Sequence, residues 1–228
     1  MYRDRQDAGR KLAELLEELR GPGLLVLAMP RGGVEVGYEV ARALDAELDV
    51  LIVRKLGAPH NPEYGFGAIA SHNARYIDAS AVRMLGLTDE MIERIEQDER
   101  AELRRRESSY RDETELVKVQ GRTVILVDDG IATGSTARAA AAAVRSLRPA
   151  QLILAVPVAP PDSLNALRRE VDRVVCPASP SNFRAVGQWY QVFDQTSDSR
   201  VIELLRQRRD ERNRQAEADS GGERQVRP

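Results

Sequence analysis

The segment 124–136, VILVDDGIATGST, combines residue types that could hold a phosphorylated sugar. Asp128 and Asp129 follow a run of branched apolar residues that predicts a buried strand, and ligands of open α/β sheets bind at the carboxyl ends of such strands. Two adjacent carboxylates repel each other unless hydroxyl groups or a metal ion face them. A sugar diol accompanied by magnesium would meet both conditions.

The turn that follows the acidic pair is rich in small and hydroxyl-bearing residues. Successive backbone N–H groups, side-chain hydroxyls and a helix N-terminus can bind a phosphate without a cation. An alanine-rich helix is predicted from Ser135 to Leu147, so the turn lies at its N-terminus. The predicted phosphate-binding residues are Ala132, Thr133, Gly134, Ser135 and Thr136.

Two other groups of residues could bind further negative charge. Arg31, Gly32 and Gly33 follow the first apolar run, where glycines let the backbone approach an anion and an arginine adds a charged fork. Arg54 and Lys55 follow the next apolar run. Both groups therefore come at the end of a predicted strand.

The elements that would position these residues alternate strand and helix. An amphipathic helix is predicted over 7–20, a strand, helix and strand over 24–53, and the same alternation again over 123–176. Continuous apolar runs indicate strands that are covered on both faces. We therefore predict a single α/β domain over 1–206, with a mainly parallel sheet flanked by helices.

Two segments depart from this alternation. Residues 88–118 predict an added helical segment, whose charged run Arg104, Arg105, Arg106 is expected to face solvent, with contact to a phosphate or a partner as the alternative. From Gln207 onward Val226 is the only branched aliphatic residue, so 207–228 predicts a disordered tail.

Composition excludes several classes of protein. The 34 basic and 36 acidic residues give a net charge of −2, which argues against binding DNA through bulk charge and makes an RNA partner unfavourable. The sequence has neither the ~20 consecutive apolar residues of a membrane span nor an apolar leader, so a cytoplasmic protein is expected. Cys176 is the only cysteine and there are two histidines, which argues against a disulfide framework or a zinc site.

The segment VILVDDGIATGST resembles the signature of the type I phosphoribosyltransferases, which is a hydrophobic strand, two acids, a short spacer and Thr-Gly-x-Thr. The resemblance covers roughly 23–175 and implies the type I phosphoribosyltransferase fold. In that family the acids hold the ribose hydroxyls of phosphoribosyl pyrophosphate, and the loop binds its 5′-phosphate. It thus implies that Asp128 and Asp129 are ribose-binding and catalytic, and that 132–136 binds the phosphate.

The resemblance extends to the other charged groups. The turn Pro30-Arg31-Gly32-Gly33 is similar to the family's pyrophosphate loop, where a non-proline cis peptide often occurs and by position would join Pro30 to Arg31. Arg54 and Lys55 are similar to a pair that several of these enzymes aim at the pyrophosphate, which implies a catalytic role for Lys55. Mg²⁺ would be held mainly by substrate and water. Residues 57–67 would form a lid.

The resemblance does not assign the compound that would accept the phosphoribosyl group. The 6-oxopurine enzymes of this family have Asp just before Thr-Gly, whereas this chain has Ala132, as the adenine enzymes do. A hood is predicted over 177–200, where Phe183, Trp189 and Tyr190 are candidates either for stacking on a base or for packing a lid or a dimer contact.

The implied reaction is transfer of a 5-phosphoribosyl group from phosphoribosyl pyrophosphate to a nitrogen nucleophile such as a nucleobase, with pyrophosphate released. One alternative is a non-catalytic sensor or regulator that binds phosphoribosyl pyrophosphate or a nucleotide in the same pocket. Another is a phosphorolytic or hydrolytic enzyme that acts on a phosphorylated sugar. Because the family is often dimeric, a homodimer is also expected.

Overall fold

A computed structural model describes residues 1–59, 61–110 and 117–222, without the side chains of 61–64 and 219–222. Its centre is a parallel five-stranded sheet, as the alternation of apolar runs predicts. The strands are β1 (Leu25–Ala28), β2 (Glu47–Val50), β6 (Thr123–Val127), β7 (Gln151–Ala155) and β8 (Arg173–Val175). Their order across the sheet is β2-β1-β6-β7-β8, which puts β6 in the middle.

Helices cover both faces of this sheet. Ile125 and Val127 pack in one apolar cluster with α1 and α2, while Val124 and Leu126 pack in another with α5 and α6. This alternation along β6 explains why its sequence is continuously apolar. The helices are α1 (Arg5–Glu14), α2 (Gly32–Ala43), α3 (Ala79–Leu85), α4 (Asp89–Tyr110), α5 (Ser135–Ser146), α6 (Pro161–Leu167) and α7 (Asp198–Gly222). Within the part of the chain that the structure describes, no helix is both long and apolar enough to cross a membrane.

A second, antiparallel sheet includes most of residues 57–67, for which the resemblance implied a lid. It consists of β3 (Val53–Ala58), β4 (Asn61–Ala70) and β5 (Ala74–Ile77), in that order. Leu56, Phe66 and Ile69 are buried in it, although glycines separate them. His60, which comes between β3 and β4 in the sequence, lies outside the described residues.

The predicted added helix is α4, and it covers the second sheet. Ile92 and Leu103 are buried in one cluster with Leu56 and Phe66. A helix of such polar composition is thus fixed by a few buried apolar residues on one face. Residues 111–116 of the predicted 88–118 segment lie outside the described residues.

The predicted disordered tail is wrong up to Gly222, because α7 continues through it. Arg208 of α7 is only 3% exposed and donates hydrogen bonds to the Asp45 carboxylate at 2.7 Å and to the Ala46 carbonyl at 3.0 Å. Tyr38 donates a hydrogen bond to Glu211 at 2.7 Å. Polar contacts therefore dock the part of α7 from Gln207 onward, and a count of aliphatic residues does not detect them. Residues 223–228 lie outside the described part.

Arg208→Met is expected to destabilise the protein by removing the guanidinium that joins α7 to the end of α2. Loss of these charge-assisted hydrogen bonds should lower the free energy of unfolding by about 2 kcal/mol. For a chain of this size, thermal unfolding should show a Tm lowered by about 4–8 °C. Arg214→Met is the matched control, since Arg214 is exposed and bonds only within α7, to the Asp210 carbonyl. An unchanged Tm for Arg208→Met would mean that α7 is not docked through this residue.

Candidate functional site

The acidic pair lies at the carboxyl end of the central strand, beside the turn that joins β1 to α2. A Cβ atom on Gly33 would lie 2.9 Å from the Cα atom of Asp128, and one on Gly32 would lie 1.9 Å from Oδ2 of Asp129. A side chain at either position would therefore crowd the acidic pair. The peptide bond between Pro30 and Arg31 is cis, as the resemblance implies.

The two carboxylates are held in an environment that disfavours their charge. Burial, followed by the charge of Asp129, raises the pKa of Asp128 well above its usual range. Burial also raises the pKa of Asp129, while a hydrogen bond from Arg5 opposes that rise. The Asp129 backbone N–H donates to Oδ1 of Asp128 at 2.8 Å. Such a pair is well suited to accept hydrogen bonds from the hydroxyls of a ligand.

Arg5, at the start of α1, is a site residue that the sequence reasoning missed. Its Nε donates to Oδ2 of Asp129 at 2.7 Å, and its Nη1 donates to the Asp194 carbonyl at 2.6 Å. Its guanidinium carbon lies 4.0 Å from the centre of the Phe193 ring, a cation–π distance. The residue is 8% exposed. In sequence it is one arginine among many, so no local pattern marks it.

The predicted phosphate turn joins β6 to α5. Gly134 has φ of 77° at the position that precedes α5, a left-handed conformation that favours glycine. Ser163 of α6 donates a hydrogen bond to the Ala132 carbonyl at 2.7 Å, which fixes the turn from the other side. Ser135 and Thr136 are exposed at the helix N-terminus. The turn thus presents backbone N–H groups and hydroxyls together, as its composition predicts.

The structure separates the predicted basic pair on β3. Successive side chains of a strand point to opposite faces. Lys55 borders a depression that also includes Ser135 and Arg138. Arg54 points to the other face, where its Nε donates to Glu99 of α4 at 2.6 Å. Lys55 therefore faces the phosphate turn, whereas Arg54 joins β3 to α4.

The predicted aromatic residues form a cluster near the N-terminus. Phe183 and Trp189 are half-buried and pack with Tyr2 and Tyr190. Tyr190 is buried, and its hydroxyl donates to the Asp129 carbonyl. This contact joins the predicted hood segment to the acidic pair and gives Tyr190 a packing role. Base stacking by Phe183 and Trp189 stays a prediction.

Arg5→Met is expected to weaken binding at the acidic pair without touching the ligand directly. Since Arg5 holds the pKa of Asp129 down, its loss should raise that pKa and displace the carboxylate. Affinity for phosphoribosyl pyrophosphate, the ligand that the resemblance implies, should fall about tenfold when measured by calorimetry from pH 5 to 9, and the pH at which binding appears should move upward.

Two variants make the Arg5 experiment specific. Arg5→Lys keeps a positive charge and should restore part of the affinity. Arg3→Met is the matched control, because Arg3 is exposed and bonds to Asp4 rather than to the acidic pair. A pH profile of Arg5→Met that coincides with that of the wild type would exclude a positioning role for Arg5.

Comparison with known proteins identifies a family model that matches this chain and a solved structure that is similar to it. Residues 2–191 match the family model described as the phosphoribosyl transferase domain. TT1426 from Thermus thermophilus, whose crystal structure is known, is 40% identical with a TM-score of 0.83, and the match covers 90% of this chain and 97% of that one.

Two curated relatives come from Mycobacterium tuberculosis, strains CDC 1551 and H37Rv, and their names propose phosphoribosyl transferases. Each is 44% identical over 205 residues, which is 90% of this chain and 46% of the relative. The chain thus spans about half the length of the curated relatives that it matches.

Proposed function

Because this chain belongs to the phosphoribosyl transferase domain family, we propose that it transfers the 5-phosphoribosyl group of phosphoribosyl pyrophosphate to a nitrogen nucleophile and releases pyrophosphate. One observation carries the proposal. A half-buried pair of acids ends the central strand, with a phosphate-type turn on one side of it and an Arg-Gly-Gly turn on the other. That arrangement matches a sugar diol with an anionic group at each end.

Each group of residues has a part in this reaction. Asp128 and Asp129 accept hydrogen bonds from the ribose hydroxyls and orient the ring. The turn 132–136 binds the 5′-phosphate, while Arg31, Gly32 and Gly33 bind the pyrophosphate. Lys55, which borders the same depression as Ser135, supplies positive charge to the phosphates of the donor. The bond from the anomeric carbon to the pyrophosphate oxygen breaks with its electron pair as the nitrogen bonds from the opposite face, so the configuration inverts. Positive charge develops on the ribose ring, and the two carboxylates are the groups proposed to stabilise it.

Magnesium fits this site as a companion of the substrate. Among the described residues, no group of three or more His, Cys, Asp and Glu side chains could hold a metal ion by itself. The acidic pair provides hard oxygen atoms, and Mg²⁺ usually keeps several waters and binds through one or two carboxylates together with substrate phosphates. When bound, it would neutralise charge on the departing pyrophosphate.

The acceptor is proposed as a nucleobase-like nitrogen compound that enters beside the hood segment. Phe183 and Trp189 are the aromatic residues proposed to stack on it, since both are half-buried rather than enclosed. Trp189 also has a buried indole Nε1 that has no hydrogen-bond partner among the described residues. A cytoplasmic location and a homodimer belong to the same proposal.

The test is calorimetric titration of phosphoribosyl pyrophosphate with and without magnesium, followed by an assay of pyrophosphate release with a panel of nucleobases. Magnesium-dependent binding with release in the presence of one base would support the transferase. Binding without release for any base would favour the sensor or regulator, and release without a nitrogen acceptor would favour a hydrolytic enzyme. Absence of binding would refute the donor site.

A further inference from the structure

A cleft of about 530 Å³ opens beside the Arg31 turn. One wall is formed by the β1–α2 turn and by the residues that follow β2, and Thr136 at the start of α5 adds a hydroxyl. The opposite wall comes from α4 and α7. The polar residues that line the cleft are Arg31, Arg105, Arg106, Ser109, Tyr110, Thr136 and Asp198.

Two of these residues, Arg105 and Arg106, belong to the added helix, whose charged run was expected to face solvent. A single carboxylate, that of Glu102, accepts hydrogen bonds from both guanidinium groups at 2.7–2.8 Å. These bonds lower the pKa of Glu102 to about 2, so it stays ionised. Because one negative charge is shared by two positive charges, this pair of arginines keeps a net positive charge toward the cleft.

The other charged residues around the cleft also leave it with a net positive charge. Arg31 lies opposite α4, and its Nη1 is 4.0 Å from Asp198, the only acidic residue among those that line the cleft in the described part of the chain. Tyr110 donates a hydrogen bond to the same Asp198 carboxylate at 2.7 Å. Three arginines thus stand against two carboxylates, those of Glu102 and Asp198, and the positive charge that remains makes this cleft attractive to a ligand with several negative charges.

We infer that Arg105 and Arg106 bind the diphosphate end of the donor, so that α4 selects a diphosphate-bearing sugar over one that carries only a 5′-phosphate. This inference rests on the proposed function. Thr136 is the only residue of the phosphate turn that lines the cleft, whereas Pro30 and Arg31 both line it. The cleft is therefore beside the pyrophosphate turn, and the 5′-phosphate binds elsewhere, on the backbone of 132–136.

Little free energy is needed for Arg105 and Arg106 to bind a ligand in place of Glu102. Their side chains are 67% and 48% exposed, and exposed ion pairs such as theirs with Glu102 contribute little to stability. A diphosphate offers more charge than Glu102 and accepts bidentate hydrogen bonds from guanidinium groups. The arginines can therefore share or exchange their carboxylate partner when the ligand enters.

The experiment compares inorganic pyrophosphate and ribose 5-phosphate as ligands, both with magnesium, in calorimetric titrations of the full chain. In the Arg105→Gln/Arg106→Gln variant, affinity for pyrophosphate should fall about 10- to 30-fold, while affinity for ribose 5-phosphate should stay within about twofold. Arg104→Gln is the matched control, because Arg104 is exposed on the same helix and does not line the cleft. Arg105→Lys/Arg106→Lys should retain most of the pyrophosphate affinity.

The outcomes separate this inference from the proposed function. If the glutamine variant binds pyrophosphate as the wild type does, α4 is not part of the diphosphate site, although the donor site stands as long as ribose 5-phosphate binds. If the variant loses both ligands equally, the selectivity of α4 is refuted. If the wild type binds neither ligand, the proposed function fails and the inference fails with it. Thermal unfolding checks that each variant is folded.

Discussion

The Asp128→Asn/Asp129→Asn variant is expected to lose about 10³-fold in affinity for phosphoribosyl pyrophosphate. Each carboxylate would accept a hydrogen bond from a ribose hydroxyl, and a hydrogen bond to a charged group contributes about 1.5–3 kcal/mol. Two such losses of about 2 kcal/mol each correspond to about three factors of ten. Calorimetry on the wild type and the variant measures the change, and retained affinity would refute the ribose assignment.

The single variants should separate binding from stability. Asp128→Asn removes a carboxyl group whose ionised form is disfavoured by burial and by Asp129, and its amide oxygen can still accept the Asp129 N–H. We expect its Tm at pH 7.5 to rise by about 2–4 °C, equivalent to about 1 kcal/mol for a chain of this size. Asp129→Asn leaves the buried Arg5 guanidinium without its ionic partner, so its Tm should fall. Both variants should nevertheless bind the donor more weakly.

The pH dependence follows from the raised pKa of Asp128. The folded protein binds the proton of the Asp128 carboxyl more tightly than the unfolded chain does. The stability that this proton contributes is therefore complete below the ordinary pKa of an aspartate and is lost as pH rises through the raised pKa of Asp128. The gain in Tm from Asp128→Asn should therefore be largest at pH 7–8 and should shrink toward pH 4. A gain that does not change with pH would contradict the raised pKa of Asp128. Asp162→Asn, on the first turn of α6, is an exposed control.

Contiguous features of the fold and of the site could be predicted from the sequence. The strand, the acidic pair and the turn 132–136 form one unbroken segment, so their proximity is fixed by the chain itself. The parallel sheet followed from continuous apolar runs, and the family match, together with the observed architecture, confirms the type I phosphoribosyltransferase fold. The helix α4 was detected because its apolar residues recur at helical spacing.

Features that depend on long-range polar contacts were not predictable. Arg5 and Asp129 are 124 residues apart, and Arg208 lies 163 residues from Asp45, so no window of sequence contains either pair. The pairing of β3 with the first half of β4 was missed because glycine favours turns, whereas the buried Phe66 depends on α4 for cover. Arg54 and Lys55 are adjacent in the sequence, which led to the prediction that both bind the pyrophosphate. Neighbours on a strand face opposite ways, so the structure separates them.

Gly32→Ala is expected to weaken donor binding about 30- to 100-fold while the protein remains folded. The added Cβ would lie 1.9 Å from Oδ2 of Asp129 and 2.7 Å from Nε of Arg5, so one or both side chains must move. Both obstacles are side-chain atoms, so the main chain can keep its course. The displaced carboxylate would lose its ion pair and its orientation toward the ribose, which corresponds to about 2–3 kcal/mol of binding free energy.

Two other glycines make this experiment specific. A Cβ on Gly33 would meet backbone atoms, the Asp128 Cα at 2.9 Å and the Val127 carbonyl oxygen at 3.0 Å, so Gly33→Ala should lower Tm as well as affinity. Gly21→Ala has open space around the added methyl group and should change neither. If Gly32→Ala bound phosphoribosyl pyrophosphate as tightly as Gly21→Ala, the position of the Asp129 carboxylate would not determine donor affinity. Affinity lost by Gly32→Ala but retained by Gly21→Ala would link the Arg-Gly-Gly turn, Arg5 and Asp129 in one binding site.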